Sequence, residues 1–172
     1  NEETLPAAVA GLKTCGIRGF NLTMPNKNKI VELLDELSPE AQLIGAVNTV
    51  LNDNGKLIGY NTDGYGFMQS VRDAGHDITG KNITVMGVGG ASMAICAQSA
   101  LDGAASVHIF ARRTSRYWNR TQKFAENLSA KTGCQVCLFD NDDHTALRDS
   151  IAQSYLLINA TSVGMVPDID NT

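Results

Sequence analysis

Residues Asn82–Ala100, "NITVMGVGGASMAICAQSA", decide the fold. "NITVMG" is an apolar, β-branched run of strand length. It opens into Gly87-Val88-Gly89-Gly90-Ala91, and a helix rich in small residues follows through "GGASMAICAQSALDG". Glycines between a strand and a helix let the backbone approach a diphosphate. The helix start adds unpaired N–H groups and positive dipole. The strict G-x-G-x-x-G spacing is not met, because Ser92 stands at the third glycine position. The alternative is an ordinary βα turn. The strand–loop–helix context favours a dinucleotide site, with Gly87, Val88, Gly89, Gly90 and Ala91 as its loop.

C-terminal to this unit the pattern repeats. "ASVHIFAR" reads as a strand, "NRTQKFAENLSAKTG" as a helix, "QVCLF" as a strand, "DDHTALRDSIAQS" as a helix and "YLLINA" as a strand. Such alternation with short links predicts a parallel, doubly wound, Rossmann-like sheet. The second strand also bears on the cofactor. An NAD site usually carries an acid roughly twenty residues on, to bond the ribose 2′-hydroxyl. Here "IFARRTSR" offers none. Arg112, Arg113 and Thr114 suit a 2′-phosphate, since guanidinium meets phosphate as a planar fork. A solvated basic turn is the plain alternative. The expectation is NADP, with NAD as the second choice.

N-terminal to it, residues 5–14 read as a helix and Ile17–Leu22 as a strand. "NKIVELLDEL" has Ile30, Leu33, Leu34 and Leu37 at helical spacing and predicts an amphipathic helix. Ser38-Pro39 opens a short helix. "AVNTVLNDNGKLIGYN" predicts a hairpin turning at Asn52-Asp53-Asn54-Gly55, and "TDGYGFMQSVRDAG" a helix closed by Gly75. A boundary at "GHDITGK" divides the chain into a smaller α/β domain, 1–78, and a dinucleotide-binding domain, 79–172. The first helix and the final "PDIDNT" suggest a piece of a longer protein.

The composition of the 172 residues is 43% hydrophobic and 19% charged with a net charge of −4, which fits a globular chain and gives no reason to expect nucleic acid. No apolar run reaches membrane-spanning length. Cys134 and Cys137 form C-x-x-C in a strand-like run, where residues three apart face opposite sides, so a redox pair is not expected. No metal site is expected, and a cytoplasmic location is the default. A homodimer is an open expectation.

Three polar clusters fall where elements end, the usual place for sites. Lys27 follows Pro25, which stops a strand, with Asn26 expected to cap the next helix. A lysine in a first helical turn faces the positive end of the dipole, where a carboxylate would serve stability better. Asn48 lies in the first hairpin strand. Asp63 stands at a helix start, where the plain reading is an N-cap. His76, His108 and His144 are read as structural or solvated.

"NLTMPNK", "GAVNT", "GYNTDG", "GVGGAS" and "NATSVGM", in that order, resemble the shikimate dehydrogenase family, and most of all its quinate/shikimate branch. The resemblance implies reversible NAD(P)-dependent oxidation of shikimate to 3-dehydroshikimate, with quinate as an alternative substrate. It implies Lys27 as the catalytic lysine and Asp63 as its partner, with Thr23 and Asn48 contacting substrate. Arg112 and Arg113 match the adenosine-ribose region. Thr161, Val163, Gly164 and Met165 match the loop beside the nicotinamide. Thr114 departs from the branch, which carries an acid there, and this favours NADP. The family's substrate-gripping serine pair and a glutamine would lie outside the chain. An adjacent carboxylate favours the ammonium form of lysine, so neutral base and oxyanion-stabilising cation are both open roles for Lys27. Two rivals stand beside this reading: a dehydrogenase of another small polyol acid, and a non-catalytic dinucleotide sensor.

Overall fold

A computed structural model describes residues 2–165. It contains two four-stranded sheets. The N-terminal part runs α1 (Leu5–Thr14), β1 (Gly19–Asn21), α2 (Asn26–Lys29), a 3-10 turn (Ile30–Leu33), β2 (Glu36–Leu37), α3 (Pro39–Ile44), β3 (Thr49–Asp53), β4 (Lys56–Tyr60) and α4 (Asp63–Asp73). Its sheet has the order β1-β3-β4-β2, antiparallel except for the β2–β4 pair. Asn54 and Gly55 both take positive φ, 53° and 91°, as a two-residue hairpin turn requires. Leu5, Val9, Ile30, Ala41, Val47, Val50 and Leu57 form the core against this sheet.

The C-terminal part runs β5 (Asn82–Met86), α5 (Gly90–Leu101), β6 (Ser106–Ala111), α6 (Trp118–Thr132), β7 (Gln135–Asp140), α7 (His144–Gln153) and β8 (Leu156–Asn159). All pairings are parallel, in the order β7-β6-β5-β8. Alternate residues of β6 show the double winding. Val107 and Ile109 join the core made with α5 and α6, while His108 Nδ1 lies 3.0 Å from Ser150 Oγ of α7 on the other face. The α/β class with a Rossmann-like parallel sheet is borne out.

The two parts share one core. Leu43, Ile44, Met68, Val71 and Ile78 pack in the same cluster as Ala94, Ala97 and Val107. Full burial of a leucine, isoleucine, valine or methionine side chain in it contributes about 1.5–3 kcal/mol. Contact between α4 and α5 is close enough that a Cβ on Gly64 would come within 2.8 Å of the Ala94 carbonyl carbon. The segment between the sheets is packed too, with Ile78 buried and Gly80 N–H donating to Gly103 O at 2.8 Å.

One expected element is absent. "NKIVELLDEL" is not a continuous helix: Leu34 is extended, at φ −106° and ψ 147°, and Glu36–Leu37 is a strand. Tertiary pairing outweighs local periodicity here. Asp35 N–H donates to Leu57 O at 2.9 Å, and the Leu57 N–H returns to Asp35 Oδ2 at 2.7 Å. That second bond holds the Asp35 carboxyl below its ordinary pKa. Ser38 N–H donates to Gly59 O at 2.9 Å. Leu34 lies over Gly59, where a Cβ would fall 2.5 Å from Leu34 Cδ1. Asn26 is likewise not the cap of α2; Pro25 holds that position, and Asn26 N–H closes a turn on Thr23 O at 2.9 Å.

Candidate active site

Lys27 leaves the first turn of α2 with its Nζ 2.6 Å from Asp63 Oδ2. Asp63 is not an N-cap. Thr62 occupies that position, and the Asp63 carboxylate bonds to Lys27 and Asn48 instead. Its second oxygen, Oδ1, accepts from Asn48 Nδ2 at 2.8 Å. Asn48 is fixed in turn, its Oδ1 accepting the Thr62 N–H at 3.1 Å. Buried Asn61 anchors the same corner: its Oδ1 accepts the Asp63 N–H at 3.2 Å, and its Nδ2 donates to Ala46 O at 3.1 Å. The backbone of Lys27 is held as well, by Val47 N–H on its carbonyl at 2.8 Å. Both carboxylate oxygens are therefore used, and Lys27 keeps two N–H donors for another partner. The Lys27 side chain is 20% exposed, so the pair is only partly solvated.

Lys27 and Asp63 line a cavity of about 710 Å³ that Val88, Gly89, Gly90 and Ala91 also line. That volume lies within the usual range for small-molecule sites. The glycine loop is shaped for a ligand. Gly87 has φ 106°, and a Cβ there would come within 2.8 Å of Ala160 O, so protein geometry demands it. Gly89 and Gly90 differ: among the described residues, a Cβ on either would meet no atom within 4 Å beyond the loop and helix themselves. No described residue packs against these positions, and both line the cavity. The N–H groups of the first turn of α5 have no intrahelical acceptors. Ser92, where the strict motif has glycine, donates from Oγ to Gly87 O at 2.6 Å and staples the loop. Glycines that only a ligand needs, beside free N–H donors, fit the diphosphate of a dinucleotide.

Other expected site residues lie off the cavity wall. Thr23 is in an exposed turn. Arg112, Arg113 and Thr114 are exposed beyond β6, with the Arg113 guanidinium 5.0 Å from the Trp118 ring centroid. Thr161 binds back on Asn159 Oδ1 at 2.7 Å, and Val163, Gly164 and Met165 are exposed after β8. Asn61, from the polar cluster that includes Asp63, is on this wall, and reading the sequence missed Tyr117, Arg120 and Thr121 there. Asn61 lies within the GYNTDG stretch; the α6 residues carry no local signal, since only the tertiary fold brings them to the loop. Among the described residues no group of three or more acidic, histidine or cysteine side chains is placed to hold a metal.

Residues 1–50 match the family model of the shikimate dehydrogenase substrate binding domain. Over 96% of its length the chain is 49% identical to the shikimate dehydrogenase (NADP(+)) of Listeria innocua serovar 6a. The chain belongs to the shikimate dehydrogenase family. It spans about 57% of the length of that relative. The crystal structure of shikimate 5-dehydrogenase from Listeria monocytogenes in complex with shikimate and NAD superposes with a TM-score of 0.96 at 47% identity, covering 99% of this chain and 58% of that one. Ligand-free 5-ketofructose reductase of Gluconobacter sp. strain CHM43 superposes with a TM-score of 0.81 at 34% identity, covering 95% and 56%. The five ordered motifs thus identified the shikimate dehydrogenase family correctly. No helix among the described residues is long and apolar enough to cross a membrane.

Proposed function

We propose that the protein oxidises shikimate reversibly to 3-dehydroshikimate with NADP, residues 1–78 holding substrate and 79–172 the nucleotide. The observation carrying this reading is the Lys27–Asp63 pair at 2.6 Å on the wall that the glycine loop shares. A bound nicotinamide supplies the hydride acceptor. The hydroxyl proton must then be taken up within the cavity. Among the described residues lining it, Lys27, Asp63, Tyr117 and Arg120 are the titratable ones. Arginine does not give up its proton in proteins. The Tyr117 hydroxyl is engaged by Arg116, whose guanidinium donates to it at 2.6 Å. Lys27 and Asp63 therefore handle the proton as a pair, Lys27 touching the substrate oxygen and Asp63 orienting Nζ. Asn48 fixes Asp63, with Thr23 as a further substrate contact. Gly87, Val88, Gly89, Gly90 and Ala91 seat the diphosphate. Arg112, Arg113 and Thr114 take the 2′-phosphate end, and Thr161, Val163, Gly164 and Met165 border the nicotinamide. The location is cytoplasmic.

A second reading, reduction or oxidation of another small polyol, is favoured by the likeness to 5-ketofructose reductase. The test uses the protein in its full natural length with shikimate, quinate and 5-ketofructose, and compares wild type with Asp63→Asn. Shikimate should be the preferred substrate, and kcat should fall about 10²–10⁴-fold in the variant, the usual share of acid–base catalysis. Preference for 5-ketofructose would replace the first reading with the second. An unchanged kcat would remove Asp63 from the chemistry.

A further inference from the structure

We propose that Arg120 is a diphosphate-binding residue, closing the glycine loop from the opposite side of the cavity. Arg120 sits in the first turn of α6 and lines the cavity with Tyr117 and Thr121, facing the space that Val88–Ala91 also line. Its backbone position is rigid. Thr121 is buried and donates from Oγ1 to Tyr117 O at 2.9 Å, and Phe124, Ala125 and Leu128 of the same helix are in the shared core.

Arg120 is an exposed residue on the cavity wall, and three observations make an anionic ligand its partner. First, the Arg120 side chain makes no hydrogen bond or ion pair with any described residue, whereas Arg18, Arg72 and Arg148 each pair with an aspartate. Second, the described residues leave no acid free to pair with it there. Asp63 is the one acid among the described residues lining the cavity, and Lys27 and Asn48 already use both its oxygens. Third, the first turn of α6 contains no acidic residue. A cation there faces the positive end of the helix dipole, a position that stability disfavours. An anion between the starts of α5 and α6 answers all three. It would gain free N–H donors on one side and a planar guanidinium fork on the other. A diphosphate has the charge and span to use both. This differs from the role given to Arg112 and Arg113, which lie off the cavity beyond β6. The inference rests on the dinucleotide reading and names the group that completes it.

The experiment is equilibrium binding of NADP, NAD and adenosine 2′-monophosphate to wild type, Arg120→Ala and Arg120→Lys, at full natural length and fixed salt. Arg120→Ala should weaken NADP and NAD by the same factor, about tenfold or more, the loss expected for a charge-assisted hydrogen bond. Adenosine 2′-monophosphate, which has no diphosphate, should bind unchanged. Arg120→Lys should recover part of the loss, because it restores charge without the fork. Equal melting temperatures of the three proteins keep the comparison free of folding effects; should Arg120→Ala melt early, Arg120→Lys and Arg120→Gln replace it. Selective loss of NADP would overturn the proposal and move Arg120 to the 2′-phosphate. Unchanged binding of both dinucleotides would make it a solvated side chain. A wild type that binds neither nucleotide would instead sink the dinucleotide reading itself.

Discussion

Two glycines of α4 should respond oppositely to the same substitution. Gly64 follows Asp63 and packs against α5; a Cβ there would lie 2.8 Å from the Ala94 carbonyl carbon and 3.0 Å from Gln98 Cβ. Gly66 lies two residues on, and among the described residues a Cβ there meets nothing within 4 Å outside its own helix. At both sites alanine improves helix propensity by about 1 kcal/mol. At Gly66 nothing opposes this, so Gly66→Ala should stabilise by about 0.5–1 kcal/mol. At Gly64 the clash is with backbone, which no rotamer change relieves. Overpacking of this kind costs about 1–3 kcal/mol. Relief requires α4 to slide from α5, loosening Met68 and Val71 from the core they share with Ala94 and Ala97. Gly64→Ala should therefore destabilise, by up to about 2 kcal/mol net. Urea midpoints at unchanged slope give both values. Because Asp63 begins α4, the displaced helix should also carry its carboxylate off Lys27. Equal stabilisation by both substitutions would refute the close packing of α4 on α5.

Replacing Arg112 and Arg113 together with alanine should weaken NADP binding far more than NAD binding; equal losses in titrations of both nucleotides would assign the pair to packing or bulk charge. Burial holds His108 below its ordinary value of 6.5, so it is neutral in the folded protein. Its contribution to stability is full above that value and is lost as pH falls through the lower folded one. Denaturation midpoints against pH should decline on the acid side in wild type, and the decline should shrink in His108→Gln. Burial pushes the Cys96 thiol up to about 12 and the Cys134 thiol up to about 11, while Cys15 is exposed. A thiol reagent on the native protein should label Cys15, and Cys96 and Cys134 only after denaturation.

The parallel sheet was legible because its strands carry local signals: apolar runs of strand length, glycine turns and helical periodicity between them. The hairpin was legible for a similar reason, since Asn54-Gly55 is a turn by its own chemistry. The stretch after Lys27 was not. Its apolar spacing suits a helix, and what breaks it is hydrogen bonding to Leu57 and Gly59, more than twenty residues away. Asp63 shows the same limit within the site. As a lone residue before a helix it reads as a cap, and only the pairing with Lys27 and Asn48, at sequence separations of 36 and 15, turns the carboxylate inward. Arg120 is the extreme case. Its sequence neighbours mark it as part of a polar helix, and its meaning lies in a cavity that three distant segments build.

The most direct test of the central claim follows NADP and NAD reduction with shikimate and with quinate, using the protein at full natural length as wild type and as Lys27→Ala, with nucleotide affinity measured separately. The prediction is shikimate-dependent reduction of NADP that collapses in Lys27→Ala while nucleotide affinity is retained. A wild type that binds nucleotide and reduces it with neither substrate, or a variant that keeps its rate, would contradict the placement of Lys27 at the reacting hydroxyl.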